Sequence, residues 1–196
     1  MSKKRIFIGV KKLHAALLIK DDDEGVQYGV PFQIIGSVNI NIQDTTNSVK
    51  FYADDAPFEV ATTYGGATVS IETAGFSLEI QALLLGHTVE NGVLKMKAGD
   101  KAPYVAIMFE SEMMNGEIEY VKLLKGKFKI PSTSHSTKTD NLTPTAVTIE
   151  GDFIARDYDG QFRQIAHSDD TNAATAVENW YSYVDSSETT VAPVTP

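Results

Sequence analysis

Residues 37–43 read Ser-Val-Asn-Ile-Asn-Ile-Gln, a strict alternation of apolar and polar side chains. Side chains on a strand point to opposite faces in turn, so this spacing suits a β-sheet with one buried side and no helix. The polar run Asp44-Thr45-Thr46-Asn47-Ser48 then predicts a turn, with Val49 to Ala53 as the return strand. Gly65-Gly66 reads as a second turn pair, leading into the alternating strand Ala67 to Ile71.

Strand patterns dominate the rest of the chain. Ile6 to Val10 and Leu13 to Ile19 are short apolar runs, the second closed by the acidic turn Asp21 to Gly25. Tyr104 to Phe109 and Ile118 to Leu124 flank Asn115-Gly116, a dipeptide that favours a two-residue hairpin turn. Thr145 to Ala155 reads as another long strand. Helical spacing appears twice. Phe76, Ile80, Leu83 and Leu84 mark Phe76 to Leu85, with Thr73 as cap and Gly86 as stop. Val177, Trp180, Tyr181 and Val184 mark Asn172 to Val184. The expected fold class is mainly antiparallel β, a sandwich or partly open barrel, with one or two flanking helices. We expect one domain over residues 1–185, a long exposed loop over 131–144 and a flexible tail over 186–196. No repeat of fixed period is visible.

Composition removes several function classes. With no cysteine, thiolate nucleophiles, disulfides and cysteine–zinc sites are excluded. The balance of 26 acidic against 17 basic residues, formally −9, opposes tight binding to a polyanion, which needs Lys and Arg to displace counterions. No apolar run approaches the roughly 20 residues of a membrane span. His14, His87, His135 and His167 show no metal-binding spacing, and no nucleophile elbow is present. Asp21 to Glu24 lacks the alternating ligands of a calcium loop, and Asp54-Asp55 on a strand would face opposite ways. No catalytic residue, cofactor or metal is assigned.

The hairpin at Asn115-Gly116 carries an unusual charge pattern. A two-residue turn sets Met113 opposite Ile118 and Glu112 opposite Glu119, which gathers Glu110, Glu112, Glu117 and Glu119 on one face. Phe109, Met113, Ile118 and Tyr120 then form the core side. Like charges directly opposite one another cost up to about 1 kcal/mol, so such a face is either well solvated or has a use.

Phe51-Tyr52-Ala53-Asp54-Asp55 after a long strand is the first of three recognisable pieces. The second is Gly65-Gly66-Ala67-Thr68-Val69-Ser70-Ile71-Glu72 running into Phe76 to Gly86. The third is Ala102-Pro103-Tyr104-Val105-Ala106 ahead of Asn115-Gly116 and Val121 to Phe128. In this order and spacing, from about Gly9 to Tyr183, the chain resembles the major tail protein family of long-tailed, non-contractile (siphovirus-type) phages of Gram-positive hosts. The resemblance implies a structural tail tube subunit. It would form hexameric rings stacked around a tape-measure protein, with tail tip and terminator proteins as further partners. DNA would pass through the channel without tight binding, and the protein would assemble in the host cytoplasm and reside in the virion. Glu110, Glu112, Glu117 and Glu119 would then face the lumen. The region of Asp44, Asn47, Asp54, Asp55 and Tyr64 would stack ring on ring. A carbohydrate- or receptor-binding β-sandwich of the virion is the alternative, a secretion-system tube a variant of the first reading, and an enzyme a third class.

Overall fold

The computed structural model describes residues 5–53, 56–132 and 146–185. Most of the expected 131–144 loop, the whole 186–196 tail, and Asp54 and Asp55 lie outside the described residues. Strands β1 (Phe7–Asp22), β2 (Gly25–Tyr28), β3 (Phe32–Gln33), β4 (Ser37–Ala53) and β5 (Ala56–Thr73) come first. Helix α1 (Leu78–Leu85) and the small hairpin β6 (Thr88–Glu90) and β7 (Val93–Lys95) follow. β8 (Val105–Met113), β9 (Ile118–Phe128), β10 (Val147–Ile154), β11 (Arg163–His167), a 3-10 turn at Thr171–Ala173 and α2 (Ala174–Glu178) complete the order.

All sheet pairing is antiparallel, in the order β2-β1-β8-β9-β10-β5-β4, with β3 added to β1. β9 is the branch point: one edge pairs with β8, while the other gives residues 119–123 to β11 and 125–128 to β10. The sheet curls until the start of β1 lies beside the start of β4. Inside the curl, Ile71, Ile107, Leu123, Ile149 and Phe153 form the main core, which α1 closes with Leu84 and Leu85. This is the expected mainly antiparallel sandwich or partly open barrel with short helices.

The outer face of β1, β8 and β9 carries a second core. Ala16, Ala106, Met108 and Leu124 are covered there by Tyr28 of β2 and by Trp180 and Val184 of the C-terminal segment. Lys122 fastens that segment, donating to the carbonyls of Tyr183 and Val184 with its ammonium 4.3 Å from the Trp180 ring. Helical spacing therefore overstated this region: α2 is five residues long, and Trp180 packs from the turn after it.

Several sequence expectations change. Ile6–Val10 and Leu13–Ile19 join into the single strand β1 across a bulge near Lys12, whose φ is +51°. Asp44–Ser48 is no turn; β4 runs straight through it, so Val49–Ala53 continues the strand and β5 is the return. Gly65-Gly66 lies inside β5 at a register shift, where a Cβ on Gly66 would come within 2.9 Å of the Phe153 carbonyl oxygen. Ser77, not Thr73, caps α1, while Gly86 ends it in the left-handed conformation as expected.

Asp21 was expected on a solvated turn, yet its side chain is 5% exposed. Its carboxylate accepts from the Lys125 ammonium at 2.7 Å and from the backbone N–H groups of Asp157 and Tyr158. Arg156, fully buried at its side chain, reaches Asp159 and Asp185 beside it. Burial pushes the Asp21 and Asp159 carboxyls up, but the Lys125 and Arg156 cations with the backbone donors outweigh it and hold both below the usual carboxylate range. Folded values lower than unfolded ones give stability that is complete above the ordinary carboxylate pKa and is lost as pH falls through the depressed values. Stability should therefore stay level from pH 7 to about 5 and fall below about 4. Asp21→Asn should cost about 2–3 kcal/mol at pH 7 and flatten that acid limb. Denaturant melts across pH check this; an identical acid limb in the variant contradicts it.

Candidate functional site

Two features stand out from the folded body: a projecting hairpin and a bare sheet face. β10 pairs with β5 only over Ala67 to Thr73. Beyond that point β4 and β5 continue as a two-stranded ribbon, pairing Thr46 with Tyr64 and onward to Ala53 with Ala56. Every described side chain from Thr46 to Lys50 and from Glu59 to Thr63 is exposed, including Val49 and Val60. A lone ribbon is marginally stable in water. Among its described residues it is held by cross-strand contacts, such as Ser48 Oγ to Thr62 Oγ1 at 3.0 Å.

Its base is anchored. A register shift between Thr45 and Thr46 marks where the ribbon leaves the body. There Arg163 of β11 forks onto both carboxylate oxygens of Asp44, at 2.5 and 3.1 Å. The Tyr64 ring stacks on Phe162 at 3.9 Å and 18°. Burial, with the Asp44 charge adding to it, pushes the Tyr64 hydroxyl up. Of the residues expected to stack rings, Asp44 and Tyr64 thus form the root of the arm. Asn47 stands out along it, and Asp54 and Asp55 lie outside the described residues.

The bare face belongs to β4, β5 and β10. Their register sets Asn39, Glu72 and Thr148 in one row, Asn41, Ser70 and Glu150 in the next, and Gln43, Thr68 and Asp152 in the third. The alternate residues Ile40, Ile71 and Ile149 face the core. Lys127 of β9 and Lys129, just past its end, border the rows, with Lys129 Nζ 2.8 Å from Asp152. Sequence reasoning found the alternation in β4 and the strands Ala67 to Ile71 and Thr145 to Ala155, but not the pairing that makes them one face.

The acidic hairpin differs from expectation. Asn115 does not take a positive φ, whereas Gly116 does, at +81°. Met113 N–H donates to the Glu117 carbonyl, and Gly116 N–H to the Met113 carbonyl. The loop therefore holds three residues, as in a type I turn ending in a left-handed glycine. Glu112 falls opposite Ile118, and Ser111 opposite Glu119. One residue of slip exchanges faces, so Glu110 and Glu112 lie on one side and Glu117 and Glu119 on the other. Glu110 is 3% exposed, beneath Tyr181, with Lys12 Nζ at 3.3 Å. Glu112 pairs with Lys11. Glu117 accepts from Asn115, and Glu119 sits 3.7 Å from His167. Phe109 and Ile118, both assigned to the core side, consequently lie on opposite faces.

Among the described residues no group of three or more His, Asp or Glu is arranged to hold a metal ion. No described helix is long and apolar enough to cross a membrane. Trp180, expected to pack from a helix, is 4% exposed under Lys122 and beside Tyr120.

The family model for "Phage tail tube protein" matches residues 9–179. The chain belongs to the phage tail tube protein family. A search of curated proteins returned no match. Membership gives the subunit a structural role in a virion, where it assembles with its own copies into a tube. A monomer that carries an unsupported ribbon suits that role.

Loss of the Asp44 anchor should free the arm without unfolding the body. Arg163→Ala should lower stability by about 1 kcal/mol, as for a half-exposed pair. It should also speed tryptic cleavage after Lys50 several-fold; cleavage at the wild-type rate contradicts the anchor.

Proposed function

We propose that six subunits close into a ring, that rings stack around a tape-measure protein, and that DNA crosses the resulting channel. Tail tip and terminator proteins would bound the stack, in a siphovirus-type tail of a Gram-positive host. The observation that carries this reading is the arm. It is eight cross-strand pairs, from Thr46 with Tyr64 to Ala53 with Ala56, extending past the core that could support it, and its tip sequence holds Phe51, Tyr52 and Phe58. Such a ribbon gains its stability by packing on another copy, which suits contact between successive rings. Asn47, Asp54 and Asp55 would meet the next ring, with Asp44 and Tyr64 setting the angle.

The open outer edge of β4 supports lateral closure, since an exposed edge left free invites uncontrolled pairing. For the channel wall, the rows from Asn39 to Asp152 are better placed than the four hairpin glutamates. They are uniformly polar, exposed or half-exposed, with no cover among the described residues, whereas Glu110 is buried by the subunit's own C-terminal segment. Carboxylates and amides repel or ignore phosphate, and Lys129 is held by Asp152, so DNA would slide without adhering.

Purified protein incubated at high concentration should form hollow tubes in negative stain. Ser70→Cys should react with a bulky maleimide in the monomer and be shielded in the tube. Equal labelling in both states contradicts the channel assignment, and absence of tubes under all conditions, including added tape-measure protein, contradicts assembly.

A further inference from the structure

One apolar feature belongs to neither the core nor the channel face. Where β1 approaches β4, the apolar side chains of Phe7, Ile8, Val10, Val38, Ile40 and Phe109, with Gly9, Asn39 and Ser111 between them, line an open cleft of about 310 Å3. Phe109 forms its buried floor, while Phe7, Ile8 and Val38 stand 53%, 59% and 59% exposed at its mouth. The alternation in β4 predicts Val38 to be half-buried like Ile40 and Ile42, and it is not: nothing among the described residues covers it. The cleft also runs between two unfinished backbone edges. Among the described residues, β1 pairs along residues 7–11 only with β8, and β4 pairs only with β5. Apolar surface this exposed, beside free strand edges, marks a contact with another molecule.

We infer that the cleft receives the arm tip, residues 51–58, of a subunit in the adjacent ring; this rests on the tube reading above. Three observations select that occupant. The first is chemistry. The tip sequence Phe51-Tyr52-Ala53-Asp54-Asp55-Ala56-Pro57-Phe58 supplies three aromatics and a proline around two acids. The cleft supplies six apolar side chains among exposed polar groups, and in the sequence Lys3-Lys4-Arg5 precedes the strand that forms its wall. The second is polarity. Cleft and arm lie at opposite ends of one strand, with Val38 to Ile40 at the start of β4 and the tip beyond Ala53. A surface that fits its complement on the far end of an identical copy builds an open, head-to-tail stack and no closed dimer. The third is reach. From Asn39 to Ala53, 14 residues at a rise of about 3.3 Å each span at most about 46 Å. Stacked copies therefore engage only if the axial repeat is no greater than that.

The chain has no cysteine, so engineered thiols report without background. Full-length Val38→Cys and full-length Asp54→Cys are mixed, incubated to assemble, treated with a short bis-maleimide and imaged. Thr175→Cys replaces Val38→Cys as the control. We expect tubes in which Val38→Cys and Asp54→Cys chains are joined, with the control pair joined at least tenfold less. Tubes in which that pair is joined no more than the control overturn the arm-to-cleft contact and leave the tube reading standing. Joined chains without tubes support the contact and count against the tube. Val38→Asp, at an exposed position, should keep the wild-type melting temperature while abolishing tubes; tubes of normal length from this variant overturn the contact independently.

Discussion

Backbone pairing between β4 and β5 outruns the core. As far as Ala67, each residue of β5 has β10 on one side and β4 on the other, with Val69 and Ile71 buried behind them. Past Gly66 the described residues supply no third strand and no apolar layer, yet the ladder continues to Ala53 and Ala56. A ribbon of this kind does little for the stability of its own subunit. The remainder of the molecule is arranged around it: an anchor at its root, a flat polar face leading to it, and an unfilled cleft at the other end of its strand. The monomer is a complete fold with an incomplete surface.

That division explains which parts of the molecule were legible beforehand. The alternation over Ser37 to Gln43 predicts the half-buried strand because the core lies on one side of it. Asp44 to Ser48 misleads for a physical reason. A strand exposed on both faces is built from the same Thr, Asn and Ser that make turns, and only pairing with Thr62 to Ala67 tells them apart. Asn115-Gly116 correctly marks a reversal, but the dipeptide serves both two- and three-residue loops. The third residue moves Glu119 to the face opposite Glu112. Family membership was readable from order and spacing across the chain. The channel face was not, since it depends on register among β4, β5 and β10, which are distant in sequence.

Charge is distributed to match. The buried ions, Asp21 with Lys125 and Arg156 with Asp159 and Asp185, tie the β1–β2 hairpin, the turn after β10 and the C-terminal segment to one another. The uncompensated negative charge of the chain is therefore left to the surface, where it keeps subunits soluble and discourages adhesion to DNA. Stability comes from neutralised interior pairs and function from the exposed remainder, so the two can change independently.

The central claim is that copies of this chain complete the surface that one copy leaves open. Backbone amide hydrogen exchange over residues 46–50 and 59–63, compared between monomer and assembled protein, tests it most directly. The account predicts exchange near the solvent-exposed limit in the monomer and protection of a hundredfold or more after assembly, with little change in β8 and β9. Equal exchange along the arm in both states would contradict it.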